Sequence, residues 1–526
     1  DFRRIFIPLH IKKTSGRCVF FLVMFLDFSE PSISRKYQSH LFNGRSNALT
    51  KPQYLRYGGK WVSRGRRALA NSRNQASYNR DSCQGKRNHK DNHKLLCRTM
   101  EGSMDKQSSG NSGCIWHPFT QSALDSTPIK IVRGEGAYLY AESGTRYLDA
   151  ISSWWCNLHG HGHPYITKKL CEQAQKLEHV IFANFTHEPA LELVSKLAPL
   201  LPEGLERFFF SDNGSTSIEI AMKIAVQYYY NQNKAKSHFV GLSNAYHGDT
   251  FGAMSIAGTS PTTVPFHDLF LPSSTIAAPY YGKEELAIAQ AKTVFSESNI
   301  AAFIYEPLLQ GAGGMLMYNP EGLKEILKLA KHYGVLCIAD EILTGFGRTG
   351  PLFASEFTDI PPDIICLSKG LTGGYLPLAL TVTTKEIHDA FVSQDRMKAL
   401  LHGHTFTGNP LGCSAALASL DLTLSPECLQ QRQMIERCHQ EFQEAHGSLW
   451  QRCEVLGTVL ALDYPAEATG YFSQYRDHLN RFFLERGVLL RPLGNTLYVL
   501  PPYCIQEEDL RIIYSHLQDA LCLQPQ

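Results

Sequence analysis

The hydrophobic residues of this chain fall mainly in short, almost unbroken runs that are bounded by glycine-rich or proline-containing turns. Runs of this kind are typical of strands that are buried on both faces of a parallel sheet. The pattern predicts six such strands, at 207–210, 239–242, 301–307, 335–339, 364–367 and 378–383. Apolar residues at spacings of three and four predict helices at 165–201, 217–230 and 411–420. Strands that alternate with helices indicate an α/β fold.

The same pattern divides the chain into parts. Alternating residues at 137–140 and 145–150 predict a hairpin that turns at Ser143-Gly144. We predict three folded parts, namely an N-terminal arm that contributes to a small domain (114–165), a large domain (166–420) and a C-terminal small domain of mixed structure (421–526).

Charge is distributed very unevenly along the chain. Residues 1–100 contain 21 Lys and Arg against 5 Asp and Glu, whereas the remainder contains 30 against 44. The apolar run Cys18–Leu26 follows basic residues, so a signal peptide, an organellar transit peptide and translated upstream sequence all stay open. We predict that residues 1–103 are a basic extension of low order outside the folded body. Nucleic-acid binding is disfavoured because aromatic residues are not interleaved with the basic ones.

The remaining composition is that of an ordinary globular protein, with 43% hydrophobic and 19% charged residues. Fourteen cysteines occur without a CxxC pair, and several lie in apolar runs, which indicates reduced thiols. No run of 18 apolar residues is present, so we expect no transmembrane helix. We expect a cytoplasmic protein, or a mitochondrial one if residues 1–100 are a transit segment.

Two predicted strands end in complementary chemistry. Asp340 closes one strand and Lys369 follows the next, each before a glycine-rich turn. Parallel sheets bind ligands at the carboxyl ends of their strands. Pyridoxal 5'-phosphate requires a carboxylate at its ring nitrogen and a lysine that forms a Schiff base. For either residue alone, a helix cap or a solvated charge is the alternative interpretation.

A phosphate site is predicted where strand 207–210 turns into a helix. Gly214 and Ser215 lie in the turn just before the helix predicted from residue 217, where free N–H groups and the helix dipole favour an anion and Ser215 adds a hydroxyl. A plain N-cap explains the same residues. Tyr246 follows strand 239–242, and a tyrosine at that place can stack on a pyridine ring.

Three histidines at spacing two, His159, His161 and His163, could suggest a metal site. Glycines separate them, and no acidic residue stands beside them in sequence, so we predict no metal. The adjacent Trp154-Trp155 pair, taken alone, is more often part of a core or an interface than a substrate wall.

Several motifs together resemble the class III aminotransferases, which have the fold type I pyridoxal-phosphate architecture. They are Ile338–Ile342, Gly345–Gly350 and Ser368–Gly370. More narrowly, five clusters resemble the branch of that family that aminates 8-amino-7-oxononanoate with S-adenosylmethionine in biotin synthesis: Trp116–Thr120, Ser152–Trp155, Ala245–Asp249, Gln310–Met315 and Arg491-Pro492. The resemblance covers about residues 114–520. It implies a large, mainly parallel-sheet domain, a smaller α+β domain and a homodimer with active sites at the subunit interface.

The resemblance also implies roles for individual residues. Lys369 would be the catalytic residue, bonded to the cofactor and later the proton shuttle. The residues expected at the cofactor are Gly214, Ser215, Tyr246, Asp340, Lys369, His404 and Thr405, with Thr405 reaching it from the neighbouring subunit. The residues expected at the substrate are Phe119, Trp154, Tyr246, Gly403 and Arg491. A bidentate pair between Arg491 and the substrate carboxylate is expected.

Two positions differ from the pattern of that branch. Phe119 stands where a tyrosine is common, and His404 stands where a proline precedes the threonine. Both concern the substrate pocket, so lysine stays open as the amino donor beside S-adenosylmethionine. Two other interpretations stay open. One is another class III enzyme, such as a 4-aminobutyrate aminotransferase, an ornithine aminotransferase or an aminomutase. The other is a catalytically silent cofactor-binding protein, which predicts that Lys369 or Asp340 has been lost, whereas both are present. We expect no nucleic-acid or membrane partner.

Overall fold

The computed structural model describes residues 114–125, 127–258, 260–465 and 474–523. Residues His117–Gln526 form one compact unit, and of the unit that ends at Trp116 only Cys114–Trp116 are described. The predicted extension 1–103 lies outside the described residues.

The elements alternate along the chain. The strands are β1 (Ile131–Glu135), β2 (Tyr138–Ala141), β3 (Arg146–Asp149), β4 (Leu205–Ser211), β5 (His238–Leu242), β6 (Ser273–Ile276), β7 (Ile300–Tyr305), β8 (Leu309–Gln310), β9 (Leu316–Met317), β10 (Leu336–Asp340), β11 (Ile364–Leu367), β12 (Ala379–Thr384), β13 (Arg452–Leu456), β14 (Val459–Asp463), β15 (Val488–Leu489) and β16 (Thr496–Val499). The α-helices of five or more residues are Pro164–Ala174, Glu188–Leu197, Gly214–Asn231, Phe251–Ile256, Glu284–Phe295, Pro320–His332, Lys385–Asp389, Pro410–Thr423, Pro426–His446, Gln474–Glu485 and Glu507–Ala520.

Seven strands form the central sheet, in the order β4-β12-β11-β10-β7-β5-β6. Neighbours pair in parallel except at β12, which is antiparallel to both β11 and β4. Because β12 reverses the direction twice, β4 runs the same way as the parallel strands. Every residue of β7, β10 and β11 is buried, which explains their unbroken apolar runs.

The six predicted strands are confirmed as β4, β5, β7, β10, β11 and β12, with small shifts at their ends. The sheet strand β6 was not predicted, because its sequence is Ser-Ser-Thr-Ile rather than an apolar run. The helical pattern predicted over 165–201 is confirmed, but it does not form one continuous helix. Two helices, Pro164–Ala174 and Glu188–Leu197, occupy that range, and the segment between them contains Asn184 with a φ of 64°.

Smaller sheets complete the unit. The predicted hairpin is confirmed, since β2 and β3 pair in antiparallel fashion. Strand β15 joins it in parallel and so ties C-terminal residues to the N-terminal arm. Strands β13, β14 and β16 form a separate three-stranded sheet. The division into a large and a small domain stays a prediction. Within the described ranges, no helix has the length and apolar character needed to cross a membrane.

Candidate active site

A cavity of about 470 Å³ lies where several strands of the central sheet end. Its lining includes residues that directly follow β4, β7 and β11, the last residue of β10, and Tyr246–Gly248 in the turn after β5. These five strands run in one direction, so the cavity sits at the carboxyl edge of the sheet, the usual ligand position in such folds. Five of the predicted site residues line it, namely Gly214, Ser215, Tyr246, Asp340 and Lys369.

The Asp340 carboxylate is buried and held from two sides. Its Oδ2 lies 2.7 Å from Nδ1 of His247, which therefore donates the hydrogen bond, and its Oδ1 accepts from the Ile342 N–H at 3.1 Å. Burial alone would lower the pKa of His247, but the hydrogen bond and the charge of Asp340 outweigh it, so that this pKa is raised. The arrangement fixes the direction in which Asp340 can meet a positively charged group in the cavity.

Glu306 is a second buried carboxylate in the same lining. Its oxygens accept from the backbone N–H groups of Tyr246 and Gly311, each at 2.9 Å. Burial raises the pKa of Glu306 to about 7, since the desolvation outweighs the charge of His247 and these two N–H donors. The carboxyl group thus links the Tyr246 turn to the turn that begins at Gly311.

Lys369 follows β11 and begins a short 3₁₀ segment, Lys369–Thr372, with its own φ at 44°. A positive φ at a residue other than glycine is strained, and such residues cluster at active sites. Burial lowers the pKa of the Lys369 amine, although the charges of Asp340 and Glu306 oppose this. The amine lies 4.4 Å from the centre of the Trp155 ring, which covers it on one side.

The start of helix Gly214–Asn231 supplies backbone donors to the cavity. Asn213 caps this helix by accepting from the Thr216 N–H at 3.0 Å, which leaves the first N–H groups of the helix for a ligand. Gly248, with a φ of 122°, approaches so closely that a Cβ there would overlap the Ser215 side chain. Tyr246 lies in the same turn as Gly248, and its hydroxyl donates to Asp249 at 2.9 Å.

Three predicted substrate residues form a second cluster. The rings of Phe119 and Trp154 meet edge to face with their centres 5.6 Å apart. The Arg491 guanidinium lies 5.5 Å from the centre of the Trp154 ring, and its Nη2 donates to the Phe119 carbonyl at 3.3 Å. None of the three is in the lining of the cavity, but Trp155, the neighbour of Trp154, is.

Gly403, His404 and Thr405 also lie outside the lining of the cavity. Gly403 and Thr405 are exposed, while His404 hydrogen-bonds through Nδ1 to Oδ2 of Asp212 at 2.8 Å. Asp212 does line the cavity. Within one chain, the bond between His404 and Asp212 joins this loop to the cavity lining.

The histidines at spacing two bind separate partners. Nε2 of His159 lies 3.2 Å from the hydroxyls of Ser419 and Thr423, and Nε2 of His161 lies 3.0 Å from Asp149. Within the described ranges, no group of three or more potential metal ligands occurs.

Sequence reasoning missed four residues of the site: His247, Glu306, Trp155 and Asp212. Signals for two of them were present, because Glu306 directly follows the predicted β7 run and His247 is adjacent to Tyr246. Neither residue could be paired with Asp340 without the strand order, which places β5, β7 and β10 side by side.

The residues of the cavity fit pyridoxal 5'-phosphate. A buried amine with a lowered pKa, a buried carboxylate held by a histidine, an aromatic side chain and a helix N-terminus are the groups that this cofactor requires. With a mainly parallel sheet beneath them, they define a pyridoxal-phosphate enzyme of fold type I.

The chain belongs to the class III aminotransferase family. The family model described as "Aminotransferase class-III" matches residues 120–521. The adenosylmethionine-8-amino-7-oxononanoate aminotransferase of Synechococcus elongatus is 44% identical over 418 residues, which are 77% of this chain and 98% of that protein.

Solved structures agree with this assignment. The enzyme of the same name from Methanocaldococcus jannaschii superposes with a TM-score of 0.74 at 33% identity, over 78% of this chain and 97% of that one. An amine transaminase from an uncultivated Pseudomonas species, solved with pyridoxal phosphate bound, has a TM-score of 0.72 at 27% identity, over 78% and 98% of the two chains. The predicted fold type, cofactor and aminotransferase activity are confirmed, and the roles of individual residues stay predictions.

Proposed function

We propose that this chain transfers an amino group from S-adenosylmethionine to 8-amino-7-oxononanoate, giving 7,8-diaminononanoate for biotin synthesis. The proposal is supported by the relatives that carry this activity in their names and that align over nearly their whole length. The observation that carries it in the structure is the position of Arg491 against Trp154 and Phe119. The Arg491 guanidinium lies against the ring of Trp154, and Trp154 is the sequence neighbour of Trp155, which lines the cavity.

The acceptor needs such an arrangement. It has one carboxylate, at the end of the molecule far from the reacting ketone, with an apolar chain between them. A guanidinium binds a carboxylate in a directional, bidentate manner. In the proposal, Arg491 holds the carboxylate, Trp154 and Phe119 line the path of the chain, and Trp155 covers the reacting end beside Lys369.

When bound, pyridoxal 5'-phosphate takes an amino group from one substrate, passes it to the next, and accepts electrons as a substrate C–H bond breaks. Lys369 Nζ removes and returns the substrate proton, and its lowered pKa favours the neutral amine that this step needs. Asp340, oriented by His247, holds a proton at the ring nitrogen. The N–H groups of Gly214 and Ser215 would bind the phosphate, and Tyr246 would pack on the cofactor ring.

In this proposal, the active unit is a homodimer. Gly403 and Thr405 are exposed, and they are flanked by the exposed apolar side chains of Leu401 and Phe406. A second copy would cover these apolar groups and receive Thr405 at its phosphate site. The molar mass measured by light scattering during gel filtration tests this proposal, and a monomer with full activity would contradict it.

The experiment that tests the activity supplies 8-amino-7-oxononanoate with one candidate donor at a time. S-adenosylmethionine, lysine, 4-aminobutyrate and ornithine are compared, and 7,8-diaminononanoate is measured. We expect the diamine with S-adenosylmethionine. If the diamine forms with lysine and with no other donor, lysine replaces S-adenosylmethionine as the proposed donor. The missing hydroxyl at Phe119 is the reason for including lysine. If no donor gives the diamine while ω-amino acids react with 2-oxoglutarate, another class III activity replaces the proposal.

A further inference from the structure

Four ionisable side chains form a continuous hydrogen-bonded chain beside the start of helix Gly214–Asn231. Nζ of Lys223 lies 2.9 Å from Nδ1 of His402, and Nε2 of His402 lies 3.0 Å from Nε2 of His404. Nδ1 of His404 lies 2.8 Å from Oδ2 of Asp212. The chain begins on the outer face of the helix and ends at a residue that lines the cofactor cavity.

The chemistry of the two ends fixes the proton on each imidazole. A protonated lysine can only donate, so His402 accepts at Nδ1 and carries its proton at Nε2. That proton points at Nε2 of His404, which must then be unprotonated. His404 therefore carries its proton at Nδ1 and donates to the ionised Asp212. All three contacts are satisfied when both imidazoles are neutral, and they run in one direction from cation to anion.

Two side chains beside this hydrogen-bonded series, Glu219 and Phe209, make other contacts. Glu219, on the same helix, is engaged by the N–H groups of Gly252 and Ala253 at 2.8 and 3.2 Å. The ring of His402 packs against Phe209, with ring centres 6.2 Å apart. Burial, followed by the charges of Lys223 and His404, lowers the pKa of His402, in agreement with a neutral ring.

Asp212 poses an electrostatic problem for the cofactor. It stands directly before Asn213, the cap of the helix whose first N–H groups suit a phosphate. A free carboxylate at this end of the cavity would repel a phosphate group, because like charges at short range are unfavourable. The structure instead shows one oxygen of Asp212 engaged by His404.

We propose that His402 and His404 are positioning residues: His404 engages one oxygen of the Asp212 carboxylate and so limits its repulsion of the cofactor phosphate, and His402 links His404 to Lys223. His404 acts through Asp212, and His402 acts through His404. This hydrogen-bonded series thus sets the affinity of the site for the phosphate of the cofactor. This inference rests on the family's cofactor and does not depend on which substrates the enzyme uses.

The test measures the dissociation constant of pyridoxal 5'-phosphate for the cofactor-free protein by absorbance titration. His404→Leu removes the donor to Asp212, and we expect the constant to rise about tenfold. His404→Asn places an amide N–H near the position of Nδ1, so its affinity should stay within about twofold of the unchanged protein. In the double variant Asp212→Asn, His404→Leu, the charge is gone and affinity should return.

A ligand without phosphate provides the control. The affinity of pyridoxal should be the same for the unchanged protein and for His404→Leu, because the repulsion acts on the phosphate. Equal losses in His404→Leu and His404→Asn, no recovery in the double variant, or an equal loss with pyridoxal would each overturn the inference. If His404→Leu does not fold, His404→Gln replaces it, since its longer side chain keeps an amide near Nε2 but offers no donor at Nδ1.

Discussion

Nδ1 of His247 lies 2.7 Å from Oδ2 of Asp340, and both side chains are buried at the carboxyl edge of the central sheet. The two residues are 93 positions apart in sequence and meet because β5 and β10 both pair with β7. Glu306, which follows β7, adds a second carboxyl group to this pair. The three side chains form a buried cluster of ionisable groups, in which burial raises the pKa of Glu306 to about 7.

The first prediction concerns this pH dependence in the cofactor-free protein. Because burial raises the pKa of Glu306 to about 7, the folded protein binds its proton more tightly than the unfolded chain. This contribution to the free energy of unfolding is complete below about pH 4 and is lost as pH rises through about 7. Glu306→Gln removes this titration. Between pH 5 and pH 8, the free energy of unfolding should therefore fall by about 1–3 kcal/mol more in the unchanged protein than in the variant.

Denaturant unfolding at several pH values gives the measurement. Glu297→Gln, at an exposed position, is the matched control and should follow the pH profile of the unchanged protein. Parallel profiles for Glu306→Gln and the unchanged protein would mean that Glu306 is ionised throughout this range.

The second prediction concerns Lys369. Lys369→Ala removes the amine at the end of β11 but leaves the helix start and Asp340 in place, so the protein should still bind the cofactor. Turnover should fall by more than about a thousandfold, because the proton-transfer group is lost. Mass spectrometry after borohydride reduction should find the cofactor attached to the unchanged protein and to Lys176→Ala, which alters an exposed lysine. A reduced adduct in Lys369→Ala would assign the covalent link to another lysine.

The sequence predicted those parts of the fold in which a local pattern is decisive. Apolar runs placed β10 and β11, and the rule that ligands bind at carboxyl ends paired Asp340 with Lys369 across the neighbouring strands. The hairpin β2–β3 followed from alternation and a Ser-Gly turn. Strand β6 could not be recognised, since its polar residues carry no apolar signal.

The rest of the site depends on distant pairings. His404 meets Asp212 across 192 residues, and Arg491 meets Phe119 across 372, and neither contact has a signal in local periodicity. The resemblance to a family suggested that such residues belong to one site. It could not indicate that Asp212 would face the cavity, or that a chain of two imidazoles would hold it.

The third prediction concerns residues 1–103. The family match begins at residue 120. The alignment with the Synechococcus protein covers 98% of that protein but uses only 77% of this chain. A protein that begins at Met104 should therefore fold, dimerise and keep full activity. Gel filtration, thermal unfolding and turnover, compared with the full chain, provide the measurement. An insoluble or inactive product would show that the extension is required for folding.

The last prediction concerns Arg491, whose guanidinium contacts both Trp154 and the Phe119 carbonyl. Arg491→Ala should weaken transition-state binding of 8-amino-7-oxononanoate by about 2–4 kcal/mol, because the substrate carboxylate is left in an apolar region without a partner. Arg491→Lys should recover only part of this, since an ammonium group cannot form the bidentate pair.

Cofactor affinity should not change, because Arg491 lies outside the cavity lining. Single-turnover kinetics of the amino-loaded enzyme with this ketone measure the loss, and Arg511→Ala, at an exposed position, is the control. An unchanged rate and apparent affinity in Arg491→Ala would make this arginine a structural contact of the Phe119 turn, and the oxononanoate proposal would then lose the contact that carries it.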